Sequence, residues 1–191
     1  MSQKRFILAS ASPRRLALLA QIGFTPGAVL AADVNEAPLK GETPVLLAQR
    51  LACAKAEAVK TDGAIVLGAD TVVAVGRRIL PKAENEAEAR ACLKLLSGRT
   101  HRVYTGVAVH DGKTRVRVAE ARVTFKQLTA QEIEFYIASG EWRGKAGGYA
   151  IQGLAGAFAS RIIGSYSAIV GLPLYETAHL LRAAGLEPIA P

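Results

Sequence analysis

Cysteine is scarce in this chain of 191 residues: only Cys53 and Cys92 are present. They lie far apart, each inside an Ala/Leu-rich helical pattern, with no CxxC pair and no Cys/His cluster. That spacing argues against structural zinc and dithiol redox chemistry. Both thiols are expected to be buried, free cysteines of a reducing compartment. Long apolar runs are missing too. The opening "MSQKRFILAS" carries two basic residues and then an apolar stretch too short for a signal-peptide core. Nothing approaches the roughly 18–20 continuous apolar residues of a membrane helix. The expectation is a cytoplasmic protein with no membrane partner. No internal repeat, low-complexity segment or linker occurs, so residues 1–191 are expected to form one domain, with two lobes around a cleft.

A basic run is also absent, although the formal charge is +8. With 50% apolar and 21% charged residues the chain has material for a core and does not read as disordered. The positive excess points to an anionic partner. Its dispersion favours a small phosphorylated ligand over nucleic acid, for which a basic stripe or reader motif would be needed. An RNA-binding module is the rival reading, and it predicts steep salt dependence. The two common glycine-rich phosphate signatures, GxxxxGK[ST] and GxGxxG, do not occur.

What is there alternates strand and helix patterns. Residues 5–9 read as a strand. A helix over 13–23 follows, with Ser12 as N-cap, Pro13 at its first position, Gly23 as its stop, and Leu16, Leu19 and Ile22 as its buried stripe. Residues 33–43 are polar and loop-like. The spacing predicts a second helix over 44–60, buried along Leu47, Leu51, Ala54 and Ala58. "AIVLGADTVVAV" (64–75) predicts a strand pair or one bent strand, turning at Gly76. Another helix is expected over 84–97. Alternation from Arg102 to Lys126 about Asp111-Gly112 predicts a long hairpin. Thr129 and Glu132 form a capping box for a helix ended by Gly140. Residues 144–156 are glycine-rich, a strand is expected near 157–163, "GSYSAIVG" reads as a loop, and a last helix runs from Pro173 to Gly185. The whole is a mixed α/β sheet with flanking helices.

Five stretches could carry chemistry. In "LASASPRR" (8–15), Ser10 and Ser12 precede helix-start amides, and Arg14 and Arg15 flank them. That is a capped helix with solvated arginines, or an anion site with bidentate donors. In "LGADTVV" (67–73), Asp70 and Thr71 interrupt an apolar strand, which is costly unless they are fully hydrogen-bonded or face a cleft. A carboxylate there could hold a divalent metal or deprotonate water. Lys82 in "ILPKAEN", Lys55 beside the buried stripe of its helix, and Glu36 are each ambiguous alone. In "GKAGGYAIQG" (144–153) the glycines let backbone approach a ligand, Tyr149 could stack on a ring or fill the core, and Gln152 could read a base edge. "GSYSAIVGLPL" (164–174) offers small and polar residues before a helix. Together they form the inventory of a nucleotide enzyme.

"LASASPRR", "GADTVV", "KAGGYAIQG" and "GSYSAIVGLPL", in this order, resemble the Maf-like nucleotide pyrophosphatases, a family also called septum formation inhibitor Maf. The resemblance spans nearly the whole chain. It implies a two-lobed mixed α/β fold related to the inosine triphosphate pyrophosphatases, often dimeric. It also implies hydrolysis of a nucleoside triphosphate between the α and β phosphates, with Mg²⁺ or Mn²⁺. Carried over, Asp70 matches the proton acceptor, and Arg14, Thr71 and Gln152 match substrate-choice positions. Ser10, Arg15, Glu36, Lys55 and Lys82 match other cleft residues, with Asp70 and Glu36 nearest the metal. The "YAIQG" form resembles the branch preferring dTTP and UTP. Pro81, Ala83, Gly144 and Ala168 depart from the usual pattern, which bears on loop geometry. The family's older name implies an alternative, a division regulator acting through protein contacts.

Overall fold

The computed structural model describes residues 5–189. Among these, seven strands form one mixed sheet: β1 (Phe6–Ala9), β2 (Ala28–Val29), β3 (Ile65–Val75), β4 (Arg78–Leu80), β5 (Thr100–His110), β6 (Thr114–Phe125) and β7 (Ala159–Ile163). The order is β2-β1-β3-β5-β6-β7, with β4 added to β3. β1 runs parallel to β2 and β3, and the other pairs are antiparallel. Helices α1 (Pro13–Gln21), α2 (Pro44–Ala58), α3 (Glu86–Leu96), α4 (Ala130–Ser139), α5 (Tyr166–Val170) and α6 (Leu174–Ala183) flank the sheet.

The apolar run 64–75 is one continuous strand, and it is the spine of the sheet. β5 pairs along one edge of it from Val66 to Ala74. The opposite edge is shared. β1 pairs only as far as Gly68, and β4 begins at Val73. Residues 69–72 therefore face a gap in the sheet, left because β1 stops where "LASASPRR" turns into α1.

α2 lies on the sheet along a ridge of small residues. Ala48, Ala52 and Ala56 are fully buried, spaced one helical turn apart. Gly68 and Gly106 lie beneath them. A Cβ at Gly68 would overlap the Ala52 carbonyl and the Ala56 amide, and one at Gly106 would overlap the Ala48 carbonyl. This close approach rotates the helix from the expected stripe. Leu47 and Leu51 are buried as expected, but Ala54 is half-buried and Ala58 exposed, while Lys55 is drawn inward. α1 departs similarly: Leu16 is exposed and Ile22 half-buried, and Leu18 and Leu19 make the contact. Those leucines lie four residues after Arg14 and Arg15, so both arginines share the inward face. Ser12 stands at the N-cap, but its side chain caps nothing.

The hairpin and the capping box follow the sequence pattern. β5 and β6 pair from Thr100↔Thr124 to His110↔Thr114. Thr129 Oγ1 accepts from the Glu132 amide at 3.2 Å, and Glu132 accepts from the Thr129 amide at 2.9 Å. The third helix begins at Glu86, two residues later than expected, because Asn85 supplies the cap. Residues 166–170, expected in a loop, form α5, started by the Ser165 hydroxyl on the Ala168 amide. Cys92 is buried as expected and Cys53 only half-buried, both as free thiols.

His101 is 1% exposed, packed edge-on against Phe125 and Tyr149, with Nε2 2.8 Å from the Tyr149 hydroxyl. Its Nδ1 has no hydrogen-bond partner. Burial pushes its pKa down to about 4. An unfolded chain takes up this proton near pH 6.5 and the folded one does not. Stability should therefore be lost as pH falls from about 6.5 towards 4, by on the order of 2–3 kcal/mol. Urea unfolding across that window should show the slope, and His101→Gln should flatten it.

Candidate active site

The gap opposite residues 69–72 opens into a cleft of about 330 Å³. Its walls bring together Ser10, Arg14, Arg15, Glu36, Lys55, Asp70, Thr71, Lys82 and Gln152. Neighbouring residues of a strand point to opposite faces of a sheet. Asp70 and Thr71 nonetheless line one cleft, because the missing strand pairing leaves both faces of this edge open.

On the α2 face, Asp70 is only 3% exposed. Lys55 Nζ donates to Asp70 Oδ1 at 2.6 Å and pairs with Glu36 Oε1 at 2.6 Å. Glu36, from the 33–43 loop, also pairs with Lys82. Partial burial pushes the Glu36 carboxyl up, but hydrogen bonds from Lys55 and Lys82 outweigh this and hold it at about 2. Two carboxylates thus converge on one ammonium group.

On the other face, the motif "LASASPRR" meets α5. Arg15 Nε donates to the Gly171 carbonyl at 2.8 Å, and Arg14 Nε makes a longer contact of 3.4 Å to the Val170 carbonyl. Carbonyls at a helix end lack intrahelical partners, and these arginines satisfy them. Burial lowers the pKa of both guanidinium groups, yet arginine stays charged. Expected as free phosphate ligands, the two arginines are in part structural ties, with N–H groups left over for a ligand. Ser10 Oγ accepts from Arg15 Nη1 at 3.0 Å and from the Ser12 amide at 3.2 Å. Its own proton therefore points away from both, free to donate into the cleft.

The glycine-rich loop forms the far wall. The Gly144 amide donates to the Ala83 carbonyl at 3.2 Å, the Ala83 amide to the Lys145 carbonyl at 3.3 Å, and the Gly147 amide to the Pro81 carbonyl at 3.0 Å. The departures at Pro81, Ala83 and Gly144 thus sit in a seam that holds Lys82 against the loop. Pro81 needs no amide there, because its carbonyl does the pairing. Gln152 is exposed at the rim. Tyr149 is 6% exposed and stacked edge-on with Phe125 at 4.9 Å. It contributes to the cleft wall but belongs to the core, so the ring-stacking reading does not hold.

Two residues escaped the sequence reading. Lys145 lines the cleft, its pKa lowered by burial and by the like charge of Arg14. A cation set among four glycines was a visible signal. Thr105 is fully buried and bonds Thr71 and the Ala168 carbonyl. It shares a face of β5 with Val103, Val107 and Val109, and only its hydroxyl distinguishes it from them.

The cleft walls carry five cationic side chains (Arg14, Arg15, Lys55, Lys82 and Lys145) against two carboxylates, Glu36 and Asp70. That excess suits a small polyanion. Among the described residues no helix is long and apolar enough to cross a membrane.

Comparison with known proteins agrees with the motifs. A Rhodopseudomonas palustris protein (strain HaA2) named "dTTP/UTP pyrophosphatase" is 58% identical, over 97% of this chain and 94% of its own. A Caulobacter vibrioides protein of the same name is 59% identical, over 95% and 96%. The solved structure of a HAM1 protein from Coxiella burnetii aligns with a TM-score of 0.49 at 17% identity, over 93% of this chain and 98% of that one. The family profile described as "Maf-like protein" matches residues 5–184. By that match, and by relatives similar along nearly their full lengths, this chain belongs to the Maf-like protein family.

Proposed function

We propose that this protein hydrolyses dTTP and UTP between the α and β phosphates, releasing the nucleoside monophosphate and pyrophosphate. The observation that carries the reading is the buried Asp70 carboxylate set in a cleft whose charge excess matches a triphosphate. The names of the close relatives support the substrates. In this reading Ser10, Arg14, Arg15, Lys82 and Lys145 hold phosphate oxygens. Asp70 accepts a proton from the water that attacks the α-phosphorus. The bond to the bridging oxygen breaks, and pyrophosphate leaves with its charge stabilised by the surrounding cations. Gln152 and Thr71 face the nucleoside.

The donor set fits a hard divalent cation such as Mg²⁺ or Mn²⁺. Glu36 and Asp70 present carboxylate oxygens around a position already taken by a cationic group, the Lys55 ammonium. Among the described residues no group of three or more His, Cys, Asp or Glu side chains is arranged for a metal. The protein would thus give two ligands, and phosphates and water the rest, as is usual for Mg²⁺. When bound, the cation neutralises phosphate charge. Lys55, whose ammonium lies between the two carboxylates, would add a further positive charge facing the triphosphate.

A panel of nucleotides with Mg²⁺ or Mn²⁺, scored for pyrophosphate against orthophosphate, tests the reading. dTTP and UTP should be the best substrates and yield pyrophosphate only. Orthophosphate as the product, or equal rates for all bases, would overturn it.

A further inference from the structure

We infer that Thr105, buried and out of reach of any ligand, is a specificity-positioning residue that makes Thr71 an obligate hydrogen-bond acceptor for a donor on the nucleoside. The inference rests on the pyrophosphatase reading and deepens it. Thr105 Oγ1 lies 2.7 Å from the Ala168 carbonyl and 3.0 Å from Thr71 Oγ1. A carbonyl oxygen can only accept, so the single Thr105 proton goes to Ala168. A hydroxyl has one proton and two acceptor sites. Thr105 can then only accept from Thr71, and the Thr71 proton is consumed in that bond. What remains of Thr71 towards the cleft is lone pairs.

An acceptor-only hydroxyl repels what it cannot bond. Deprotonated phosphate oxygens and base carbonyls have no proton to offer, so Thr71 does not belong to the phosphate cradle. It suits an N–H or O–H of the nucleoside half. A uracil or thymine ring offers one at its imide nitrogen, where cytosine carries an acceptor instead. The sugar 3′-hydroxyl offers another. The two strands make this polarity rigid: Thr71 and Thr105 are direct partners in the β3–β5 ladder, and Thr105 is fully buried. Ala168, where the family's usual residue differs, enters through its backbone carbonyl, so its side chain is not needed for the relay.

Thr105→Val keeps the shape and removes the proton sink, freeing the Thr71 hydroxyl to rotate and donate. kcat/KM for pyrophosphate release should be measured for UTP, CTP and 3′-deoxy-UTP in the wild type, Thr105→Val and Thr105→Ser. If the imide is read, UTP-over-CTP discrimination should fall roughly tenfold or more in Thr105→Val. If the sugar is read, discrimination against 3′-deoxy-UTP should fall instead. Thr105→Ser should keep both wild-type ratios. Thr71→Val removes the acceptor itself and should shift the same ratio, which keeps the test decisive if Thr105→Val folds poorly. Unchanged ratios in both valine variants, or one common factor lost on all three nucleotides, would overturn the inference. Failure of the wild type to release pyrophosphate from UTP would instead overturn the reading beneath it.

Discussion

Asp70→Asn should lower kcat for pyrophosphate release from UTP by roughly 10²–10⁴-fold while leaving KM and folding nearly unchanged. The side chains are the same size, and the amide oxygen of the substituted asparagine can still accept from Lys55, as Asp70 does at 2.6 Å. What disappears is the capacity to take a proton from water, together with one of the two carboxylates that would hold a divalent cation, so the comparison is made at saturating Mg²⁺. A loss confined to kcat is the signature of a group acting in the transition state. Steady-state kinetics on a purified variant with a wild-type unfolding curve would show it. A variant that turned over UTP at the wild-type rate would remove Asp70 from this role.

Lys55→Met should act on stability, and strongly. The ammonium group lies 2.6 Å from each of two carboxylates, and Asp70 is almost wholly buried. Removing it leaves Asp70 as an unpaired buried charge, while Glu36 keeps Lys82. Breaking such a pair from one side costs about 3–5 kcal/mol. Asp70→Asn placed on top of Lys55→Met should recover part of it. A double-mutant cycle in urea gives both numbers. Additive losses would mean that the two residues do not form one unit.

Much of this was legible before any coordinates, for local reasons. The hairpin was carried by alternation and an Asp-Gly turn, and α4 by a capping box whose reciprocal bonds are all within four residues. All nine candidate residues reach the cleft: Asp70 and Thr71 sit mid-strand where β3 lacks a partner on one edge, and the other seven lie near element ends or in loops around that gap. What could not be read depends on partners far away in the chain. α2 is rotated because Gly68 and Gly106 admit its alanine ridge, and hydrophobic spacing alone favours the larger residues. α5 is too short for a period to show. Arg15 looked like a free cation because its acceptor, the Gly171 carbonyl, is a backbone atom that no side-chain pattern records. Thr105 was hidden by the regularity of its own strand.

The tie between α1 and α5 also bears on how the cleft comes into being. Arg14 and Arg15 find their acceptors 156 residues downstream. Contacts so distant in the chain carry a large loop-closure cost. During synthesis, α1 leaves the ribosome long before the carbonyls that orient its arginines. Until then this end of the cleft has its cations but not the carbonyls that align them. A copy shortened before Val170 would keep both guanidinium groups but lack the two carbonyls that orient them.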